Sequence, residues 1–263
     1  MILYNPQERV CVDFVDFTER YFKSQGMDLS FQQKELVKFI NEHNQVAINK
    51  YRCSGTTTIL CLAIAWEILY GYISDRTINV GIITHNKANF SLELRKVLES
   101  IPEKMILKFD EYNSSNCDFS INPLNGLVDK VHVYFLTKLH DGISIKFDDI
   151  VVDEFDLQEK ILCEYHEPSG YQIINYALCS IQDVTRSHIY ISYSDNKYRK
   201  VINHYLENED CEIILKPYLD ERYKPEKLTW VKNDCRHYAG EYNYTPMEAI
   251  NLLEKGYKPK YID

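Results

Sequence analysis

The 263-residue chain has eight cysteines but no C-x-x-C pair. Zinc sites and disulfide frameworks draw on close, regular cysteine spacing, so this scatter argues against both and for a reducing cytoplasm. No apolar run reaches the roughly 18–20 residues that a membrane span needs. The start, Met1-Ile2-Leu3-Tyr4-Asn5-Pro6, has neither a basic n-region nor a long apolar core and does not read as a secretory signal. Positive charge is short: 30 Lys and Arg stand against 39 Asp and Glu, for a net charge of −9. A broad nucleic-acid-binding face needs clustered cations to neutralise phosphates, and this chain is not built for one. Glycine is sparse at nine residues and tyrosine abundant at 21. Coding bias alone gives such a skew, and no function is read from it. What remains is ordinary for a folded domain: 45% hydrophobic and 26% charged residues.

Residues 1–30 read as a lead-in, with Phe14, Phe17, Tyr21 and Phe22 at helical spacing. Ser30 is placed to cap a helix over Phe31 to Asn41. From there strands and helices alternate. Strands are predicted at Val46–Ile48, Ile78–Ile83, Ile106–Phe109, Cys117–Ile121, Val131–Phe135, Ile150–Val152, His188–Ser192 and Glu212–Leu215. Helices are predicted at Thr57–Tyr70, Asn86–Ser100, Gly170–Ile181 and Asn196–Leu206. Turns are expected at Tyr112–Ser115 and Asn122–Gly126. This alternation, with the loop Lys50–Thr58 set between the first strand and its helix, predicts an α/β fold of the P-loop NTPase type: a mainly parallel sheet with helices on both faces, over residues 1–216. Residues 217–263 form an expected small C-terminal appendage, with a helix start at Thr245-Pro246-Met247-Glu248.

Between the first strand and the long apolar helix lies Lys50-Tyr51-Arg52-Cys53-Ser54-Gly55-Thr56-Thr57-Thr58. Strand–loop–helix is the setting of a phosphate-binding loop, and the stretch departs from G-x-x-x-x-G-K-[ST] at two places. Gly55 and Thr57 hold the second glycine and the hydroxyl positions; Thr56 stands where lysine is usual, and Lys50 where the first glycine is. Helix-terminal N–H groups here would cradle an anion, and the Thr57 hydroxyl would suit Mg²⁺. A cation must still reach the phosphates: Lys50 starts the loop and Arg52 lies in its middle. The plainer alternative is a Thr-rich turn with two solvated cations. Downstream, Ile150-Val151-Val152-Asp153-Glu154 is an apolar strand ending in two acids. Asp there suits Mg²⁺ through water and Glu suits an attacking water. A strand that merely ends in surface acids has the same look; Asp148-Asp149 interrupt it upstream, and Asp156 competes. Ser192-Tyr193-Ser194-Asp195-Asn196 follows a further strand and reads equally as a turn capped by Asp195.

Taken in order, these residues resemble the N-terminal ATPase domain of the large terminase subunit of tailed bacteriophages. The resemblance is carried by Phe14/Tyr21-Phe22, Gly26-Met27-Asp28 and Phe31-Gln32-Gln33. It continues through Arg52-x-x-Gly55-x-Thr57-Thr58, Val80-Gly81-Ile82-Ile83-Thr84-His85, Ile150–Glu154 and Ile189–Ser194-x-Asn196. It spans about residues 12–205. It implies ATP as substrate and Mg²⁺ as cofactor, with Gln33 reading adenine and Arg52 acting as a finger supplied in cis. Lys50 stands five residues before the glycine, where some members place the lysine. The implied nucleotide-binding set is Gln33, Lys50, Arg52, Ser54, Gly55, Thr56, Thr57 and Thr58. Thr57 and Asp153 would hold Mg²⁺, Glu154 would be the catalytic carboxylate, and Ser192, Tyr193 and Ser194 the coupling motif.

The implied partners are double-stranded DNA, reached through other domains or subunits, the portal protein and the small terminase subunit. A homo-oligomeric ring on the capsid, the host bacterial cytoplasm and no membrane complete the picture. The nuclease that normally follows has no place in 217–263, so DNA cutting is not expected of these residues. Two other readings stay open. Thr56 favours a non-catalytic relative; Gln33 and Asp153-Glu154 also suit a helicase-like ATPase, which needs a second domain of the same kind.

Overall fold

The computed structural model describes residues 13–51, 54–71, 74–100, 106–113, 117–123, 128–136, 145–157, 174, 177–181, 187–206, 211–215, 219–220 and 258–259. Helix α1 (Phe14–Ser24) is capped by Asp13, whose carboxylate accepts the Val15 N–H at 2.9 Å, and buries Phe14, Thr18, Tyr21 and Phe22 along one stripe. Helix α2 (Phe31–Glu42) opens on a capping box: Ser30 Oγ accepts the Gln33 N–H, and Gln33 Oε1 accepts the Ser30 N–H at 2.9 Å. Strand β1 (Gln45–Asn49) leads through the loop into α3 (Thr56–Trp66). The helix is apolar all round, and Ile59 to Ala65 are buried against the sheet, α1 and α4. It ends not as α-helix to Tyr70 but in a π turn over Glu67–Gly71.

Strand β2 (Ser74–Thr84), helix α4 (Lys87–Glu99, capped by Asn86) and strands β3 (Ile106–Asn113), β4 (Asp118–Pro123) and β5 (Val128–Phe135) follow. Then come β6 (Asp149–Asp153), β7 (Ile189–Tyr193), a 3₁₀ turn at Asn196–Tyr198, α5 (Arg199–Tyr205) and β8 (Glu212–Ile214). The eight strands lie in the order β3-β4-β5-β2-β6-β7-β1-β8. All neighbours from β5 to β8 pair parallel, and only β4 runs against the rest. The expected mainly parallel α/β sheet is what forms. One core packs α1 to α4 on one face, and a second packs Phe155, Ile174, Ala177 and Ile202 on the other. Covering both faces is what makes β6 and β7 buried at every position.

Some expected boundaries move. β3 and β4 run into the predicted turns because Asn113 pairs with Asp118 and Pro123 with Ile106, so ladder pairing overrides local turn chemistry. Asp148 and Asp149 do not interrupt β6. They are buried, and their carboxylates accept backbone N–H groups of Asn79 and His188 at 2.9 and 2.8 Å. Of the predicted Gly170–Ile181 helix, residues 174 and 177–179 are helical, Ser180 is a turn and Ile181 forms a parallel bridge with Phe147, and the rest lies outside the described residues, as does the predicted helix from Thr245. Leu219–Asp220 and Lys258–Pro259 form a two-stranded antiparallel pair.

Candidate functional site

The parallel pairing brings the carboxyl ends of four strands into line. Ile48 lies beside Ser192, Asn49 beside Tyr193, Val152 beside Ile191 and Thr84 beside Asp153. Because β7 lies between β1 and β6, Ser192 stands between the loop that follows β1 and the acids that end β6. The edge of an open α/β sheet beyond its strand ends is where such folds bind ligands.

Asp153 is the centre. Its Oδ1 accepts from the Lys50 ammonium at 2.8 Å and from Ser192 Oγ at 2.6 Å; its Oδ2 accepts from Thr57 Oγ1 at 2.8 Å. Lys50 and Asp153 are 7% and 3% exposed, so this ion pair is shielded from water. Burial pushes the Asp153 carboxyl up, but the Lys50 charge and the bonds from Lys50, Ser192 and Thr57 outweigh it and hold the group below the usual Asp value. Lys50, six residues ahead of the usual lysine position, therefore lies at the Gly55 loop on Asp153. The Thr56 hydroxyl, in that usual position, is turned to Ser54 Oγ at 2.7 Å.

The loop closes on Gly55, which caps α3 in the left-handed region at φ +76°. The left-handed backbone favours glycine there, and an added Cβ would meet Gln33 Nε2 and push that amide aside. Gln33 Nε2 donates to the Ser54 carbonyl at 3.4 Å. Gln33 thus lies against the loop, with its other amide atom held in the capping box. The first turn of α3, Thr56 to Thr58, presents N–H groups that precede the helical ladder, which begins with Ile59 N–H to Gly55 O. The Thr58 hydroxyl turns away from the loop to Glu93 on α4 at 2.9 Å, so Thr58 offers the loop its N–H and not its side chain. Arg52 lies outside the described residues.

Glu154 is bracketed. Its backbone takes the left-handed region at φ +60°, uncommon for a side-chain-bearing residue, and its N–H is held by Ser192 Oγ at 2.9 Å. One carboxylate oxygen lies 3.7 Å from the Lys50 ammonium and the other meets His85 Nδ1. Sequence reasoning gave His85 no role. The signal was available in the pairing: Thr84 and Asp153 are register partners, so the residues after them meet at the same edge. Asp156, the competing acid, is taken by the Ser194 N–H and Oγ at 2.9 and 2.7 Å. The predicted coupling motif is divided by strand alternation. Ser192 faces Asp153, while the Tyr193 hydroxyl bonds Glu212 on β8, which also accepts from Arg199 Nε at 2.6 Å.

The donor set suits Mg²⁺. Thr57 Oγ1 and an Asp153 oxygen are hard ligands side by side, and Mg²⁺ commonly takes one or two protein carboxylates and completes its shell with waters and substrate phosphates. Among the described residues no cluster of three or more His, Cys, Asp or Glu is arranged to hold a metal by itself.

No family model matches the sequence, and no curated protein matches it. Solved structures do. The large terminase of bacteriophage HK97 superimposes with a TM-score of 0.52 at 12% identity, over 92% of this chain and 50% of that one. The large terminase of a thermophilic bacteriophage, solved in complex with ADP, gives 0.50 at 12% identity, over 71% and 44%. The fold is that of phage large terminases. At such identity the likeness concerns architecture, and the chain spans about half the length of the terminases it matches. The contacts around Asp153 are this chain's own and are not borrowed from either relative. Among the described residues no helix is long and apolar enough to cross a membrane.

Proposed function

We propose that this chain is an ATP-hydrolysing region of a large-terminase-type DNA-packaging motor. The observation that carries the reading is the buried Lys50–Asp153–Thr57 contact at the mouth of the Gly55 loop. A lysine buried this deeply on an acid normally serves either packing or charge chemistry. Here it stands where a phosphate-binding lysine is needed and the usual position lacks one. In the proposed reaction, Thr57 and Asp153 would hold Mg²⁺, which would supply neutralisation of the phosphate charge. Lys50 turns from Asp153 to the phosphates, and the N–H groups of Thr56 to Thr58 cradle them. Glu154, released from Lys50 by that movement and still held by His85, orients the attacking water. Gln33 reads the adenine, Arg52 stabilises charge in the transition state, and Ser192 reports the change at Asp153 and Glu154 to β7.

Coupling to double-stranded DNA, assembly as a ring, the portal and small-terminase partners and action in the host bacterial cytoplasm belong to the same proposal. They rest on likeness to the terminases. ATP turnover is expected to require Mg²⁺, and Glu154→Gln to abolish turnover while ATP binding persists; full turnover in Glu154→Gln would sink the assignment. A second reading, a nucleotide-binding protein that does not hydrolyse, is favoured by the Thr56 side chain turned to Ser54. Binding without turnover in the wild-type ring would select it.

A further inference from the structure

A second group of buried ionisable side chains lies at the opposite end of the same strands. Asp149 opens β6, His188 directly precedes β7, and Glu67 stands where α3 widens into its π turn. Glu67 and Asp149 are 3% and 4% exposed. His188 bridges them: Nε2 lies 3.2 Å from Glu67 Oε1 and Nδ1 lies 3.3 Å from Asp149 Oδ1. Its backbone N–H donates to the same Asp149 oxygen at 2.8 Å, and its carbonyl accepts the Ile150 N–H at 2.9 Å. Each of the three elements so joined carries a residue of the candidate site at its other end: Thr57 on α3, Asp153 on β6, Ser192 on β7.

We propose that Glu67, Asp149 and His188 form a proton-holding clamp that pins the far end of the phosphate-loop helix to the two strands bearing Asp153 and Ser192, and that weakens when its protons leave at alkaline pH. The clamp depends on the fold and not on ATP hydrolysis. Two ionised carboxylates held this close around a neutral imidazole in a dry interior repel one another, and protons on the imidazole and on a carboxyl relieve that repulsion. The directions agree. Burial and the Asp149 charge push the Glu67 carboxyl up to about 8 against the pull of His188. Burial works against the His188 imidazolium, but the Asp149 hydrogen bond and the charges of Asp149 and Glu67 carry it up to about 9. The other titratable groups facing the cluster among the described residues are Tyr190, pushed up by burial and then by Glu67 and Asp149, and Asp148, whose carboxylate is bonded to the Asn79 N–H. Both clamp groups hold protons more tightly folded than unfolded, so stability falls as pH rises, from the ordinary Glu value to about 8 for Glu67 and from the ordinary His value to about 9 for His188.

The test is thermal melting of the full chain from about pH 4.5 to about pH 9.5. Glu67→Gln keeps the shape of the protonated acid; it is expected to melt with wild type at the acid end and to lose less than wild type toward the alkaline end. Curves that stay parallel across the range would overturn the clamp. Side-chain NMR of unaltered protein gives an independent reading: the His188 imidazole is expected to titrate at about 9. A midpoint at the ordinary histidine value would overturn the proposal even if the variant fails to fold.

Discussion

The two ends of β6 and β7 bury charge in opposite ways. At the carboxyl ends, Asp153 is ionised, held low by an ammonium and two hydroxyls, with Glu154 bent into the left-handed region beside it. At the amino ends, Asp149 and Glu67 share a histidine, and the group retains protons. The first arrangement is mobile by chemistry: Lys50 can leave Asp153 for another anion, and Thr57 can exchange its bond for a cation. The second is built across elements, since His188 holds Glu67 through one ring nitrogen and Asp149 through the other. Charge that is to meet a ligand is paired with groups that can let go, and charge that fixes a frame is paired with itself.

The largest effect expected is from Lys50→Met. Methionine fills the stem but removes the charge, leaving Asp153 buried without its cation, a loss of about 3–5 kcal/mol. The acid limb should shift as well. Asp153 contributes stability that is full above the ordinary Asp value and is lost as pH falls through its depressed folded value. Without Lys50 the main lowering influence is gone and burial dominates, so the acid loss that Asp153 causes should shrink or reverse, and chemical denaturation should show the gap between variant and wild type narrowing as pH falls. A variant as stable as wild type would mean that the carboxyl-end pair is dispensable and the contrast between the two ends is wrong.

Next comes Ser192→Ala. The Ser192 hydroxyl donates to Asp153 and accepts from the Glu154 N–H, so one deletion loosens both acids, at about 2 kcal/mol for a bond to a charged group and an unsatisfied buried N–H. ATP turnover should fall more than ATP binding, because Glu154 loses its backbone anchor while Lys50 does not. Equal losses in both would assign Ser192 to binding alone. Gly55→Ala follows, with about 1–2 kcal/mol from the left-handed backbone. Its added Cβ would meet Gln33 Nε2, so nucleotide affinity, measured by titration, should fall beyond what stability explains.

The sheet was legible in the sequence because its central strands are short apolar runs, Val46–Ile48, Ile150–Val152 and Ile189–Ile191, set between amphipathic helices. Strand order was not, since it depends on crossovers that leave no local mark. That is why Ser192 read as a turn residue: only the placement of β7 between β1 and β6 brings it to Asp153. The Lys50 position was legible only through the family resemblance, since some members place the lysine five residues before the glycine. His85 and His188 were not, because each meets its carboxylate across neighbouring strands. Asp148 and Asp149 misled for a physical reason: local hydropathy counts them as surface, while their carboxylates are satisfied by backbone N–H groups inside the fold.

The smallest effect separates neighbouring threonines. Thr57 bonds Asp153, while Thr58 bonds Glu93 on α4. One helical residue apart, they face about 100° from each other, so a phosphate site at the loop engages the first hydroxyl and not the second. Thr58→Val should cost about 1 kcal/mol through the lost helix–helix bond and leave Mg-ATP affinity unchanged. Thr57→Val should cost similar stability and lower that affinity when the metal is present, with little change for nucleotide alone. If Thr58→Val instead weakened Mg-ATP binding as much as Thr57→Val, the hydroxyl that serves the ligand would be misassigned, and the Thr58–Glu93 bond would have to break on binding.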